Sequence, residues 1–317
     1  MGIAIRRIAS DDEAGIATCV RIRNAVTPDN PDSPEQVRWA NATYPGELVG
    51  FLAETPEGTA VGAGSAGRIW MHGPEYERYW LGIWVLPEAR RQGVGSALLA
   101  AASDATRAAG KTGFRTSLSE AHTDGHRFLA NRGFVEVDRS KTVRLSLRGL
   151  DAPVAVPPPG IRFVTLADRP ELVAGVHRVA LEAFPDIPMA EDPLEVGTLE
   201  AFAARDVTRA GIPQDGFFVA LDEAPAEVVG YASLIFEPGS TTVAYHDMTA
   251  VRPAYRGRGI ATALKLATIA WAVDHGLEAL ETGNDEGNAP MRAVNARLGY
   301  VPLPDEIGLQ GPLAPER

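Results

Sequence analysis

The sequence predicts an α/β (α+β) chain of two tandem domains, each a mixed central sheet flanked by helices, and three observations predict it. One segment recurs in both halves at fixed spacing, strand-like and helical patterns alternate in the same order around each copy, and 317 residues is about twice the ~150 typical of one domain.

The repeated segment runs Val85-Leu-Pro-Glu-Ala-Arg-Arg-Gln-Gly-Val-Gly-Ser-Ala-Leu98 and returns as Val251-Arg-Pro-Ala-Tyr-Arg-Gly-Arg-Gly-Ile-Ala-Thr-Ala-Leu264, an offset of 166 at every matched position. The same offset carries Arg132-Gly133-Phe134 onto Leu298-Gly299-Tyr300, without net insertion or deletion. Near the start Ile8 matches Leu166, an offset of 158, so the second copy carries extra residues around Asp206 to Gly216. The expected organisation is an N-terminal domain over 1–150, a Pro-rich connector over 151–160, and a C-terminal domain over 161–317.

Each copy should open with a strand, at about 3–8 and 161–166, and pass into helices after cap signals at Asp11 and Asp168. Strand patterns follow at Glu47 to Ala53, Ala60 to Trp70, Phe217 to Leu221 and Val228 to Phe236. A strand ending at Val85 or Val251 then meets a glycine loop and a helix. Val94, Ala97, Leu98, Ala101 and Ala105, and likewise Ile260, Ala263, Leu264, Ala267 and Ala270, recur at helical spacing until Gly110 and Gly276 stop them. A short strand (Gly113 to Leu118; Ala279 to Thr282), a helix and a final strand pair complete each copy.

At 45% hydrophobic and 22% charged the composition is that of an ordinary globular chain, which excludes disorder, collagen and coiled coil. Thirty Lys and Arg against 41 Asp and Glu leave a net charge of −11, so no global basic field draws nucleic acid or an anionic membrane, and neither is expected as a partner. An anionic ligand would need a local basic site. The single cysteine, Cys19, rules out an intrachain disulfide and a multi-Cys metal centre, and no metal is expected. The first residues resemble neither a secretory signal nor a transit peptide, and no run approaches the ~20 apolar residues of a membrane span, so a cytoplasmic protein is expected. Monomer and homodimer both remain open.

A strand that opens through Arg-x-x-Gly-x-Gly/Ala into a helix suits phosphate: glycines allow close approach, successive N–H groups point outward, and the helix dipole presents its positive end. A P-loop is excluded because neither loop holds lysine. A dinucleotide fingerprint is excluded because Leu98 and Leu264 stand where its third glycine belongs.

The run Val-x-Pro-x-x-Arg-x-x-Gly-x-Gly/Ala, followed later by Gly-Phe or Gly-Tyr, resembles the acyl-CoA signature of the GNAT N-acetyltransferase superfamily, and the resemblance covers essentially the whole chain as two copies, similar to actinobacterial two-domain acetyltransferases. It implies acetyl-CoA as acyl donor, and a strand ending at Val85 or Val251 that splays from its neighbour to hold the pantetheine arm. It further implies pyrophosphate cradles at Arg90, Arg91, Gln92, Gly93, Val94, Gly95 and Ser96, and at Arg256, Gly257, Arg258, Gly259, Ile260, Ala261 and Thr262. In such chains the C-terminal copy often does the chemistry.

The family's last helix usually carries Asn, which binds the pantetheine arm, and Tyr, which protonates the departing thiolate. Counted back from Gly299 these positions are Asn288 and Asn295; from Gly133 they are His122 and Leu129. Neither copy has the tyrosine. Asn295 is no acid near neutral pH, though its amide can orient the thiol or a water. Attack by an amine also needs a base. Alternation places Tyr245, Asp247 and Thr249 on one strand face and His246 on the other, where it reads as structural. Asp247 is the candidate base, its alternative role being to pair with an arginine; the strand Tyr79 to Val85 has no carboxylate. Asp186, Glu191, Asp192 and Glu195 form either an acceptor wall for a cationic amine or a solvated acidic face, while Trp39, Trp70, Trp80 and Trp84 read as core. The expected function is direct acetyl transfer to the primary amine of a small molecule by a catalytic C-terminal copy, the alternative being a silent acyl-CoA-binding or sensing protein.

Overall fold

The computed structural model describes residues 2–28, 30–188 and 195–316. The chain forms two compact units, one made of Met1–Arg139 with Glu306–Arg317 and the other of Ser140–Asp305.

In the first unit β1 (Ala4–Ile8) leads to α1 (Glu13–Val26), which starts where the Asp12 carboxylate accepts from the Gly15 amide at 2.8 Å. α2 (Pro34–Thr43) starts likewise at Ser33, with proline in its first turn. β2 (Leu48–Glu54), β3 (Ala60–Gly67) and β4 (Arg78–Val85) follow, each antiparallel to the strand before it. α3 (Val94–Ala108) then crosses over to β5 (Gly113–Ser119), which is parallel to β4, and α4 (Thr123–Ala130) leads to β6 (Val135–Ser146). Phe51, Leu81, Leu98 and Phe114 share one buried core beneath α3.

The second unit repeats this order. β7 (Ile161–Thr165), α5 (Val173–Ala183) and α6 (Leu199–Phe202), which runs on into a π-helical turn at Ala203–Val207, precede antiparallel β8 (Phe218–Asp222), β9 (Glu227–Phe236) and β10 (Val243–Val251). α7 (Ile260–Asp274) crosses to the parallel β11 (Ala279–Asp285), and α8 (Ala289–Arg297) is followed by β12 (Val301–Pro302) and β13 (Glu306–Pro312).

The final strands are exchanged between the repeats. Ser140–Ser146 of β6 lies antiparallel to β11, Ser140 opposite Asp285 and Ser146 opposite Ala279. β13 lies antiparallel to β5, Glu306 opposite Ser119 and Pro312 opposite Gly113. All four pairs of equivalent residues differ by the offset of 166, so each repeat gives the same seven-residue strand to the other repeat's sheet in the same register. The compact units therefore do not divide at the expected 151–160 connector: residues 140–150 belong with the second unit and 306–317 with the first. The physical reason is burial. Ile307 and Leu309 join the core of Leu81, Phe114 and Leu129, while Leu145 joins that of Ile269, Leu280 and Tyr300.

Leu309→Ala is expected to cost about 2–5 kcal/mol, and amide exchange should show the lost protection in β5 of the first unit and not in β11.

Candidate active site

The two glycine loops share one backbone course. After short turns at Pro87–Ala89 and Pro253–Tyr255, Arg90 and Arg256 fold back, and each donates Nε–H to the carbonyl of Val85 or Val251 at 3.2 Å. Arg91 (φ 63) and Gly257 (φ 77), then Gly93 (φ 87) and Gly259 (φ 82), are left-handed. That alternation turns successive amides to one side as an anion-binding nest. No side chain caps α3 or α7, so the N–H groups of the first turn and the positive dipole end are left to a ligand.

The predicted cradle side chains divide in role. Val94 and Ile260 are buried and anchor the helices, so they offer only backbone. Gln92 donates to the Glu88 carbonyl at 2.9 Å, the Ser96 hydroxyl accepts from Arg132 at 2.7 Å, and Gly95 lies beneath the Phe128 ring. Arg256 also pairs with Asp186 at 2.6 Å, and the Arg258 guanidinium stands 4.8 Å from the Tyr255 ring centroid. Ala261 and Thr262 sit in the first turn of α7. The donor set, outward amides flanked by arginines, fits the pyrophosphate of an acyl-CoA.

Beside each loop the parallel strands part. β4 pairs with β5 from Arg78 opposite Gly113 as far as Trp80 opposite Arg115, and β10 with β11 from Val243 opposite Ala279 as far as Tyr245 opposite Glu281. At the parting point a threonine takes over: Thr116 donates to the Leu81 carbonyl at 2.8 Å, and Thr282 to the His246 carbonyl at 2.9 Å. The splay opens the main chain of β10 toward Val251 and of β4 toward Val85, as an extended pantetheine arm requires.

The repeats differ beyond this point. β4 pairs with β3 without interruption, but β10 is bulged against β9 between His246 and Thr249, so Ser233 faces both Asp247 and Met248. The strict alternation expected for this strand therefore breaks: Asp247 and Met248 are both partly exposed, while His246 is fully buried. A bulge re-aims a side chain. Desolvation raises the pKa of Asp247; Asp206 adds to the rise, and Arg209 and a 3.5 Å contact with the Ser233 hydroxyl oppose it. Asp206 is held by buried Arg205 at 2.7 Å. The Tyr231 hydroxyl, influenced by both carboxylates, is buried without a hydrogen-bond partner among the described residues. Sequence reasoning missed Arg205, Asp206, Arg209, Tyr231 and Ser233, since they come from a π turn, the bend that follows it and a neighbouring strand, with no shared spacing.

Asn288 caps α8, its side-chain oxygen accepting from the Met291 amide at 3.3 Å. Asn295 is buried; its amide donates to Asn284 at 2.7 Å, which leaves Oδ1 as an acceptor without a partner among the described residues. Of the acidic candidates, Asp186 is engaged by Arg256, Glu195 is exposed, and Glu191 and Asp192 lie outside the described residues. In the first repeat Gly82 stands where the second has its bulge, and the Trp84 ring folds over it so closely that any Cβ there would collide. Arg23, paired with Asp32, lies 5.3 Å from the Trp84 ring centroid. No described helix is long and apolar enough to cross a membrane.

The model of the acetyltransferase (GNAT) family matches residues 17–134 and again 176–300. The chain belongs to that family, as a tandem-domain N-acetyltransferase. It is 29% identical over 254 residues to a mycothiol acetyltransferase of Mycolicibacterium vanbaalenii, covering 79% of this chain and 72% of that one. A mycothiol acetyltransferase of Pseudarthrobacter chlorophenolicus is 28% identical over 224 residues, covering 70% of this chain and 66% of the relative. Among solved structures, a tandem GNAT protein from the clavulanic acid biosynthesis pathway superimposes over 100% of both chains with a TM-score of 0.80 at 20% identity. A GCN5-related N-acetyltransferase from Sphaerobacter thermophilus does so over 99% and 97% with a TM-score of 0.69 at 19% identity.

Gly259→Ala forces an L side chain into φ 82. It is expected to cost about 1–2 kcal/mol and to weaken CoA binding at least about tenfold through a displaced nest, measured by thermal denaturation and calorimetric titration.

Proposed function

We propose that the chain transfers an acetyl group from acetyl-CoA to the primary amine of a small molecule, with the second repeat as the reaction centre. The observation that carries this reading is the bulge of β10, which brings Asp247 beside the splayed strands, whereas the first repeat has Gly82 covered by Trp84. The relatives named mycothiol acetyltransferase support a small-molecule acceptor.

The bound acetyl-CoA would supply an activated acyl carbon and a thiolate leaving group. The nest at Gly257 and Gly259 and the N-terminus of α7 would hold its pyrophosphate, with Asn288 beside α8 a further candidate contact. The Asp247 carboxylate removes a proton from the acceptor ammonium, so that the neutral amine attacks. A raised pKa improves this base, because a more basic carboxylate takes the proton more readily. Asn295 donates to Asn284 and keeps its buried Oδ1 as a spare acceptor, so its role would be to orient the thiol or a water and it is not itself the acid. The chain has a second reading, an acyl-CoA binder without turnover, because Asn295 and Leu129 stand at the positions of the family's tyrosine.

Thiol release from acetyl-CoA with small amines, aminoglycosides, amino-acid conjugates and peptides tests the proposal. Turnover with any of these amines supports it, and binding without turnover across the panel favours the sensor. Asp247→Asn should lower kcat about 10²–10⁴-fold with CoA affinity unchanged; Arg90→Glu should leave kcat near wild type, and the reverse pattern would place the chemistry in the first repeat. Activity should fall as pH drops through the raised Asp247 pKa, where the base becomes protonated. That raised folded-state pKa also means the ionised carboxylate costs stability once pH exceeds the unfolded value, so Asp247→Asn should raise Tm at neutral pH and not in acid.

A further inference from the structure

Behind the bulge the second unit contains a buried polar layer that has no counterpart in the first. Equivalence follows from matched contacts: Thr116 and Thr282 donate to the carbonyls of Leu81 and His246, which aligns these two residues, and the remaining positions follow the offset of 166. His246, Lys265, Thr268 and Tyr300, all buried, thus stand where the first repeat has Leu81, Leu99, Ala102 and Phe134, members of one apolar core.

The hydrogen bonds of the layer fix its protons. The Thr268 hydroxyl donates to the Lys265 carbonyl at 2.9 Å, so its oxygen accepts from His246 Nε2–H at 3.1 Å. His246 Nδ1 is then the acceptor, and the Tyr300 hydroxyl donates to it at 3.1 Å. The imidazole is neutral: burial pushes its pKa well below the usual range, and the charge of Lys265 acts in the same direction. Lys265 Nζ lies 5.5 Å from the Tyr300 ring centroid, and burial lowers its pKa to about 7.

We propose that His246 is a positioning residue for acetyl transfer: clamped between Thr268 and Tyr300, it fixes the register of β10 so that the bulge presents Asp247. Beyond Tyr245 the strand has no parallel neighbour, and a slip of one residue would turn every side chain to the other face. An apolar residue packs in either register with little discrimination, whereas a buried imidazole with two directional partners is satisfied in one only. The first repeat, with Leu81, has no bulge to hold. This inference rests on the reading of Asp247 as the base.

A double-mutant cycle tests it. His246→Leu should lower kcat at least about tenfold while the Kd for CoA stays within about twofold, and in an Asp247→Ala background it should cause no further loss. Equal losses in both backgrounds, or an unchanged kcat, overturn the proposal. A wild-type rate in Asp247→Ala alone sinks the base reading and the positioning with it, whereas a slow Asp247→Ala with an independent His246→Leu loss sinks positioning only. Two variants guard against misfolding. Tyr300→Phe keeps the ring and removes the donor to Nδ1, and should lower kcat several-fold. The quadruple variant His246→Leu, Lys265→Leu, Thr268→Ala, Tyr300→Phe installs the apolar set of the first repeat and should match wild type in Tm yet turn over slowly; wild-type kcat in either variant overturns the proposal.

Discussion

Parting two parallel strands leaves backbone carbonyls without a ladder, and the need to satisfy them shapes each half of the molecule. A threonine on the neighbouring strand serves the first carbonyl, at Leu81 or His246, and the loop arginine serves the last, at Val85 or Val251. Both solutions recur at equivalent places in the two repeats. Arg90 and Arg256 are therefore tethers as well as charges: each spends its Nε–H on drawing the glycine loop back onto the strand it leaves. Buried main-chain groups left unpaired would cost more than the opening could return.

Much of the fold was legible because the repeat preserves it. Glycines at 93 and 259 and the helical stripes behind them mark the loop and crossover helix at one offset, and the structure places both. The strand exchange was invisible for the same reason. Ser140–Ser146 and Glu306–Pro312 hold the same place in their repeats, at the offset of 166, so their position along the chain does not tell the sheet of its own repeat from the other.

The site was legible less evenly. The loops are contiguous and could be read from glycine and arginine spacing, whereas the bulge could not: one extra residue between His246 and Thr249 alters the pairing partner and leaves the hydrophobic pattern nearly intact. The surroundings of Asp247 come from β9 and the π turn at Ala203–Val207, which only tertiary folding brings near. The inequality of the halves is the clearer lesson. At four equivalent positions the first repeat has Leu81, Leu99, Ala102 and Phe134 where the second has His246, Lys265, Thr268 and Tyr300, and buried hydrogen-bonding groups of that kind demand a more specific arrangement than an apolar set does.

The exchanged strands also bear on how the chain is made. β5 is complete early in synthesis, but β13, which covers its edge, follows every other strand of both units. Until then the first unit carries an open strand edge beside exposed core positions for Ile307 and Leu309, the kind of surface that recruits wrong partners. The second unit, by contrast, receives Ser140–Ser146 before its own strands emerge, so on the ribosome the later-made sheet can close before the earlier one.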